Sequence, residues 1–128
     1  MKSRNTGIDD LVKEGMEAAI QARELIWKFT TLQINQAEFV QELEDVHAKR
    51  IIFDNWDDFQ HNEAIYPCLE IFQVIYSIAE DVDYQIRYYG LDSLREDIKQ
   101  LDMSIKILKR YLGQESNLNL SSKACKCH

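Results

Sequence analysis

Glycine and proline are scarce in this chain, which has four Gly and one Pro among 128 residues. Both residues mark turns and chain breaks, so their scarcity argues against many short strands and favours long helices. No run of about 18 apolar residues occurs, and no segment is predicted to span a membrane. The polar N-terminus leads into Asp9 and Asp10 without a secretory signal. We therefore expect a cytoplasmic, globular protein.

Cysteine is also sparse, and its three positions do not suit a disulfide framework. Cys68 falls within an apolar helical pattern and is predicted to be a small buried side chain. Cys125, Cys127 and His128 resemble soft metal ligands, but three ligands on a frayed terminus would not fix a closed tetrahedral site. We expect residues 114–128 to be a flexible tail without metal, following a single domain over residues 1–113.

Basic residues are absent from one whole segment of the chain. No Lys or Arg lies between Arg50 and Arg87, although this stretch contains eight Asp and Glu. The rest of the sequence is nearly balanced, with fourteen acids against fifteen Lys and Arg, and the net charge is -7. Concentrated charge of one sign costs stability through self-repulsion and attracts cations or a basic partner. It also disfavours direct binding to nucleic acid or to anionic lipid.

Apolar residues recur at three- and four-residue steps in four segments, which predicts four amphipathic helices. The first spans Ile8 to about Phe29. The second starts at Asn35, where Glu38 three positions later completes a capping box, and it reaches about Ile51. Residues 53–62 are predicted to form a loop.

The third helix is expected from Glu63 or, because of Pro67, from Tyr66, and it should end near Ala79. The fourth is expected to be capped by Asp92 or Ser93, to bury a leucine-rich seam that begins at Leu91, and to stop at Gly113. Short links between four helices predict an all-α, antiparallel up-and-down four-helix bundle.

Two acidic clusters flank the third predicted helix, and aromatic residues lie beside them. Carboxylates would steer a basic partner, and Trp and Tyr provide contact area at low entropic cost. A solvated acidic face and ordinary core aromatics are the plainer interpretation. The absence of compensating bases favours an interface. The predicted partner-binding residues are Asp54, Trp56, Asp57, Asp58, Glu80, Asp81, Asp83, Tyr88 and Tyr89.

Several stretches resemble the colicin D-type immunity proteins, a family of small acidic helical bundles. The stretches are Ile34–Phe39, Cys68–Phe72, Glu80–Asp83 and Leu91–Asp97, within a resemblance that spans roughly Leu25 to Leu112. Members of that family bind a tRNA-cleaving toxin domain and block its basic active-site cleft by mimicking RNA charge. The resemblance implies that Asp81 and Asp83 face the toxin. Tyr76 stands where the family carries another acid.

Two alternative functions follow from other features of the sequence. Glu44 and His47 form a Glu-x-x-His pair, which di-iron bundles use, but a second such pair would have to come from Asp58 and His61 in the predicted loop. We predict no enzymatic activity, cofactor or metal, and elemental analysis would detect the metal enzyme. An acidic regulatory or adaptor bundle is the other alternative, and the gene neighbourhood would distinguish it from an immunity protein.

Overall fold

Every regular element of the computed structural model is helical within the part that it describes, which is the backbone of residues 2–126 and the side chains of residues 7–113. The predicted all-α class is confirmed. The helices are α1 (Lys2–Thr30), α2 (Gln36–Glu44), α3 (Ala48–Asp54), α4 (Trp56–His61), α5 (Tyr66–Tyr89) and α6 (Ser93–Lys126), with a turn of 3-10 helix at Glu63–Ile65. In this part of the chain, no helix is long and apolar enough to cross a bilayer.

Helix α5 is the central element, because it contacts α1, α2, α3 and α6, while α1 and α6 also contact each other. The predicted apolar stripes face these contacts, and residues such as Ile26, Phe72 and Leu101 are fully buried. The predicted seam of the last helix is wrong at its first position, because Leu91 precedes α6 and is exposed.

Helices α1 and α5 approach each other closely at Gly15, which is buried. A methyl group at this position would lie 2.5 Å from the Cys68 Sγ. The Cys68 thiol donates a hydrogen bond to the Leu11 carbonyl at 3.4 Å. Burial, together with the nearby Glu14 charge, raises the pKa of Cys68 to about 12, although a hydrogen bond from the Gly15 backbone lowers it in part. Cys68 is therefore a protonated packing residue, as its sequence pattern predicted.

The second predicted helix is divided into α2 and α3. Its start is confirmed, since the Asn35 side chain accepts from the Glu38 backbone and the Glu38 side chain accepts from the Asn35 backbone. The prediction of one helix as far as Ile51 is wrong, because α2 ends at Glu44 and His47, with a left-handed backbone conformation (φ 59°), separates it from α3. The break places Ala48 against the core as the first residue of α3.

The loop predicted over residues 53–62 is also wrong, because this segment contains the end of α3 and all of α4. Phe59 is buried and holds α4 against the core. The side-chain amides of Asn55 and Asn62 donate to carbonyls one turn earlier, at Ile51 and Asp58, both at 2.9 Å. These bonds satisfy helix-end groups that a short helix would otherwise expose to water.

Helix α5 starts at Tyr66 with Pro67 in its first turn, as predicted, but it does not end near Ala79. It continues to Tyr89, with a kink at Asp81 (φ −127°, ψ 20°), and Gly90 (φ 86°) ends it. The segment between the predicted third and fourth helices is therefore mostly helix. The added turns bury Val82 and half-bury Ile86, and this burial accounts for the extension.

The predicted start of α6 is confirmed, because the helix begins at Ser93, directly after Asp92, one of the two predicted caps. The Ser93 hydroxyl donates to the Gly90 carbonyl at 2.7 Å. The predicted end of α6 at Gly113 is wrong. The helix passes through Gly113 to Lys126. The flexible tail stays a prediction, because side chains beyond residue 113 lie outside the described part, as do Cys127 and His128 entirely.

A single methyl group tests the contact between α1 and α5. Gly15→Ala should lower the free energy of unfolding by about 1–3 kcal/mol, because the new atom collides with a short, buried side chain. Cys68→Ala in the same chain should recover part of this loss by removing the sulfur. Urea unfolding of the two single variants and the double variant measures the coupling.

Gly7→Ala is the matched control, because Gly7 is exposed on α1 with nothing within 4 Å of an added methyl group. It should raise stability by up to about 1 kcal/mol through helix propensity. Additive effects of Gly15→Ala and Cys68→Ala would show that the contact does not constrain the packing.

Candidate functional site

The first predicted acidic cluster lies at the junction of α3 and α4. Asp54 is the last residue of α3 and is exposed, while Asp57 and Asp58 occupy the first turn of α4. Acids are favourable at a helix N-terminus, because the backbone N–H groups there carry partial positive charge. The fold thus accounts for Asp57 and Asp58. Asp54 makes no ion pair with any described side chain.

Trp56 opens α4 and is partly exposed. It lines a cleft of about 540 Å³ together with Phe59, Tyr66 and Leu69 near the start of α5. We call these four residues the tryptophan cleft. The sequence predicted Trp56 as an anchor residue, and this neighbourhood adds Tyr66 as a second exposed aromatic side chain.

The second predicted acidic cluster lies within α5 at its kink. Glu80, Asp81 and Asp83 are all exposed. Asp83 forms an ion pair with Arg87 one turn later, so part of its charge is balanced within the helix. Asp81 itself adopts the non-helical backbone conformation. Glu80 and Asp81 form no ion pair with a described side chain.

Three tyrosines occupy the last two turns of α5. The rings of Tyr84 and Tyr88 lie 4.5 Å apart between centroids, and those of Tyr84 and Tyr89 lie 6.4 Å apart. Tyr88 is 62% exposed and Tyr89 69% exposed, so the group is not core packing. Tyr84 was missing from the predicted site, although its four-residue spacing from Tyr88 signals a shared helix face. We call Glu80, Asp81, Asp83, Tyr84, Tyr88 and Tyr89 the acidic–tyrosine surface.

Gln85 anchors this half of α5 to α6. Its side-chain amide donates to the Asp97 carboxylate at 2.8 Å and to the Ser93 hydroxyl at 3.0 Å. Burial raises the pKa of Asp97, the hydrogen bond from Gln85 lowers it, and the neighbouring Glu96 charge raises it. The half-buried carboxylate therefore fixes the orientation of the helix that carries the tyrosines, at an electrostatic cost.

Residues of α2, α3 and α5 line a cleft of about 610 Å³, and among them are Lys49, Arg50, Phe53 and Glu80. The sequence has no Lys or Arg between Arg50 and Arg87, but the fold brings Lys49 and Arg50 of α3 into the same cleft as Glu80. Lys49 Nζ lies 5.8 Å from the centre of the Tyr76 ring. Because Phe53 and Glu80 line the same cleft, the end of α3 lies beside the acidic turn of α5.

Glu44 and His47 line the same cleft as Glu80. Nevertheless, no group of three or more His, Cys, Asp or Glu in the described residues is arranged to hold a metal ion. The other candidate pair lies on α4, where His61 Nδ1 is 2.8 Å from the Asp57 carbonyl. The structure does not bring Asp58 and His61 into the lining of this cleft.

The nine predicted residues lie in two separate groups. Trp56, Asp57 and Asp58 lie on α4, beside the start of α5, whereas Tyr88 and Tyr89 lie at its end. The two ends of α5 are about 35 Å apart from helix rise alone. Asp54 ends α3 and lines neither the tryptophan cleft nor the cleft that contains Glu80.

No protein-family model, curated protein or solved structure matches this chain. The resemblance to colicin D-type immunity proteins therefore stays a prediction from the sequence. Any inference about function therefore rests on the geometry of the tryptophan cleft and of the acidic–tyrosine surface.

Asp97 generates a prediction about pH. Because its folded pKa lies above the ordinary value of 3.8, the folded chain retains a proton that the unfolded chain releases. Stability should therefore fall as the pH rises from about 3.8 through the folded pKa. Asp97→Asn keeps an acceptor for Gln85 but cannot ionise, so its stability relative to the native chain should increase over this interval.

Urea unfolding at several pH values between about 3 and 7 measures this difference. Gln85→Ala removes the hydrogen bond that lowers the pKa of Asp97, so the decline in stability should extend to higher pH in that variant. A difference between Asp97→Asn and the native chain that does not change with pH would contradict the assignment.

Proposed function

We propose that this chain is a bacterial immunity protein that binds a cognate nuclease toxin and blocks its basic active-site cleft. The observation that carries the proposal is the acidic–tyrosine surface, whose carboxylates and tyrosine side chains are exposed. Exposed carboxylates on a rigid helix would occupy positions that substrate phosphates take in the toxin, and the exposed tyrosines would supply apolar contact area. The resemblance favours a tRNA-cleaving toxin.

This mechanism of inhibition requires only that the chain occupies the active-site cleft of the toxin. It requires no catalytic step from the chain itself. A field of one sign raises the encounter rate with an oppositely charged cleft. Short-range contacts from the tyrosines would then slow dissociation. The same negative field disfavours direct contact with nucleic acid, and the proposed site of action is the cytoplasm.

We also propose that the helices form an antiparallel four-helix arrangement in which α2, α3 and α4 together replace the second helix. Arg23 of α1 pairs with Asp102 of α6, and Trp27, one turn later in α1, shares a cleft with Arg95. In α5 and α6, Glu70 meets Gln100 while Gln85 meets Asp97. Both sets of pairs support opposite chain directions for α6 and its two neighbours.

Co-purification with the product of the adjacent upstream gene tests the proposed partner. The expected result is a stable complex in which the nuclease activity of the upstream product is abolished. An upstream product that binds this chain and keeps its nuclease activity would contradict blocking of the active site. A complex with a protein that has no nuclease activity would favour the adaptor alternative.

Charge reversal tests the surface. Asp81→Lys with Asp54→Lys should slow association with the toxin about tenfold or more, because electrostatic steering reaches this size. Both residues are exposed and unpaired among the described side chains, so folding should persist. Asp83 is a poorer choice, since Lys at this position would face Arg87 after losing the ion pair.

Asp10→Lys with Glu42→Lys is the matched control. These exposed acids lie on α1 and α2, and the pair of changes alters the net charge by the same amount. Stopped-flow association kinetics should distinguish the two double variants. Equal slowing in both would mean that net charge, and not the acidic–tyrosine surface, governs binding.

A further inference from the structure

A second exposed apolar surface lies where α1 ends and α6 begins. Trp27 is 60% exposed and lines a cleft of about 450 Å³ with Leu91 and Ile98. Thr31 lines the same cleft, and the next residue, Leu32, is 87% exposed. We call this cleft together with Leu32 the end cleft. None of these side chains belongs to the acidic–tyrosine surface.

Leu32 occupies a backbone position that normally favours glycine. The Gln33 N–H donates to the Lys28 carbonyl at 2.8 Å and the Leu32 N–H donates to the Phe29 carbonyl at 3.1 Å, which together form a Schellman motif at the end of α1. Leu32 has φ 67°, a left-handed conformation that is costly for a side chain with a Cβ. The Leu32 side chain is exposed and therefore adds no apolar contact to the buried core. Leu32 therefore lowers the stability of the folded chain in two ways, through its left-handed backbone and through the exposure of its apolar side chain to water.

The charges around the end cleft are balanced by neighbours in the same chain. Arg95 pairs with Asp92 at 3.6 Å and Lys99 pairs with Glu96 at 3.4 Å. Lys28, on the last turn of α1, pairs with Glu24 at 3.8 Å. A strongly basic partner would gain little from this neutral surface, in contrast to the acidic–tyrosine surface.

Local neutrality also favours a second copy of this chain as the occupant of the end cleft. Two copies of a chain with net charge -7 repel each other, and the repulsion is strongest where their acidic surfaces meet. It is weakest where the charges are already paired, as they are around the end cleft. We propose that the end cleft is a self-association surface, in which Leu32 of each copy inserts into the end cleft of the other.

Such a contact is symmetric, because the same residues serve both as the inserted group and as the receiving cleft. It explains why an exposed apolar side chain stands at the position where glycine would be cheaper for folding. The inference is independent of the proposed toxin, since it concerns a surface with a different charge and composition.

Sedimentation equilibrium from about 1 µM to about 1 mM tests the proposal directly. The native chain should shift from the mass of a monomer toward that of a dimer as its concentration rises. Leu32→Gly should stay monomeric over the same range, while Leu32→Met, which keeps an apolar side chain, should still dimerise. Trp27→Ser provides a second, independent disruption of the end cleft.

Folding is checked on dilute samples, where every variant is monomeric. Leu32→Gly should melt at the same temperature as the native chain or above it, because glycine relieves the left-handed backbone. Phe53→Ser is the matched control, since Phe53 is 68% exposed in the cleft between α3 and α5 and its loss should leave the dimer intact. A native chain that is monomeric throughout, or a dimer that survives Leu32→Gly, would overturn the proposal.

Discussion

Gly15 allows α1 and α5 to lie so close together that one added methyl group would collide with the Cys68 sulfur. The rest of the structure depends on this approach, because α5 is the helix against which α1, α2, α3 and α6 all pack. A closely packed interface has few alternative arrangements, since interiors have little free volume. The position of α5 is therefore constrained near its start, and the acidic residues and tyrosines farther along are held on a rigid support.

The second half of α5 has its own constraint. The kink at Asp81 redirects the helix, and the bonds from Gln85 to Asp97 and Ser93 attach it to α6. A carboxylate whose pKa is raised by burial is an unfavourable choice for stability alone. Its hydrogen bond to Gln85 orients the turns that carry Tyr84, Tyr88 and Tyr89. Stability and surface geometry are thus linked through one half-buried acid.

The sequence predicted the features that depend on local patterns. The apolar stripes, the Asn35 capping box, the place of Pro67 and the burial of Cys68 all follow from short-range rules, and the structure confirms them. The continuation of α5 was also encoded, because Ile78, Val82 and Ile86 extend its stripe at four-residue spacing. The acids around Asp81 obscured this signal by suggesting a helix end.

Other features depend on contacts that sequence spacing does not reveal. The left-handed His47 divides a segment with continuous helical periodicity, and the burial of Phe59 stabilises a helix of only six residues. In the candidate site, the exposed acids and tyrosines were identified from composition. The approach of Lys49 and Arg50 to Glu80 was not, because it requires α3 to pack on α5.

The central claim is that carboxylates on the acidic–tyrosine surface draw this chain into the basic cleft of a nuclease. The most direct measurement is the association rate with the nuclease domain as the ionic strength is varied, because screening shortens the reach of surface charges to a few ångströms at about 1 M salt. The rate should fall steeply between about 0.05 M and about 0.5 M salt, while the dissociation rate changes little. An association rate independent of salt would contradict the claim.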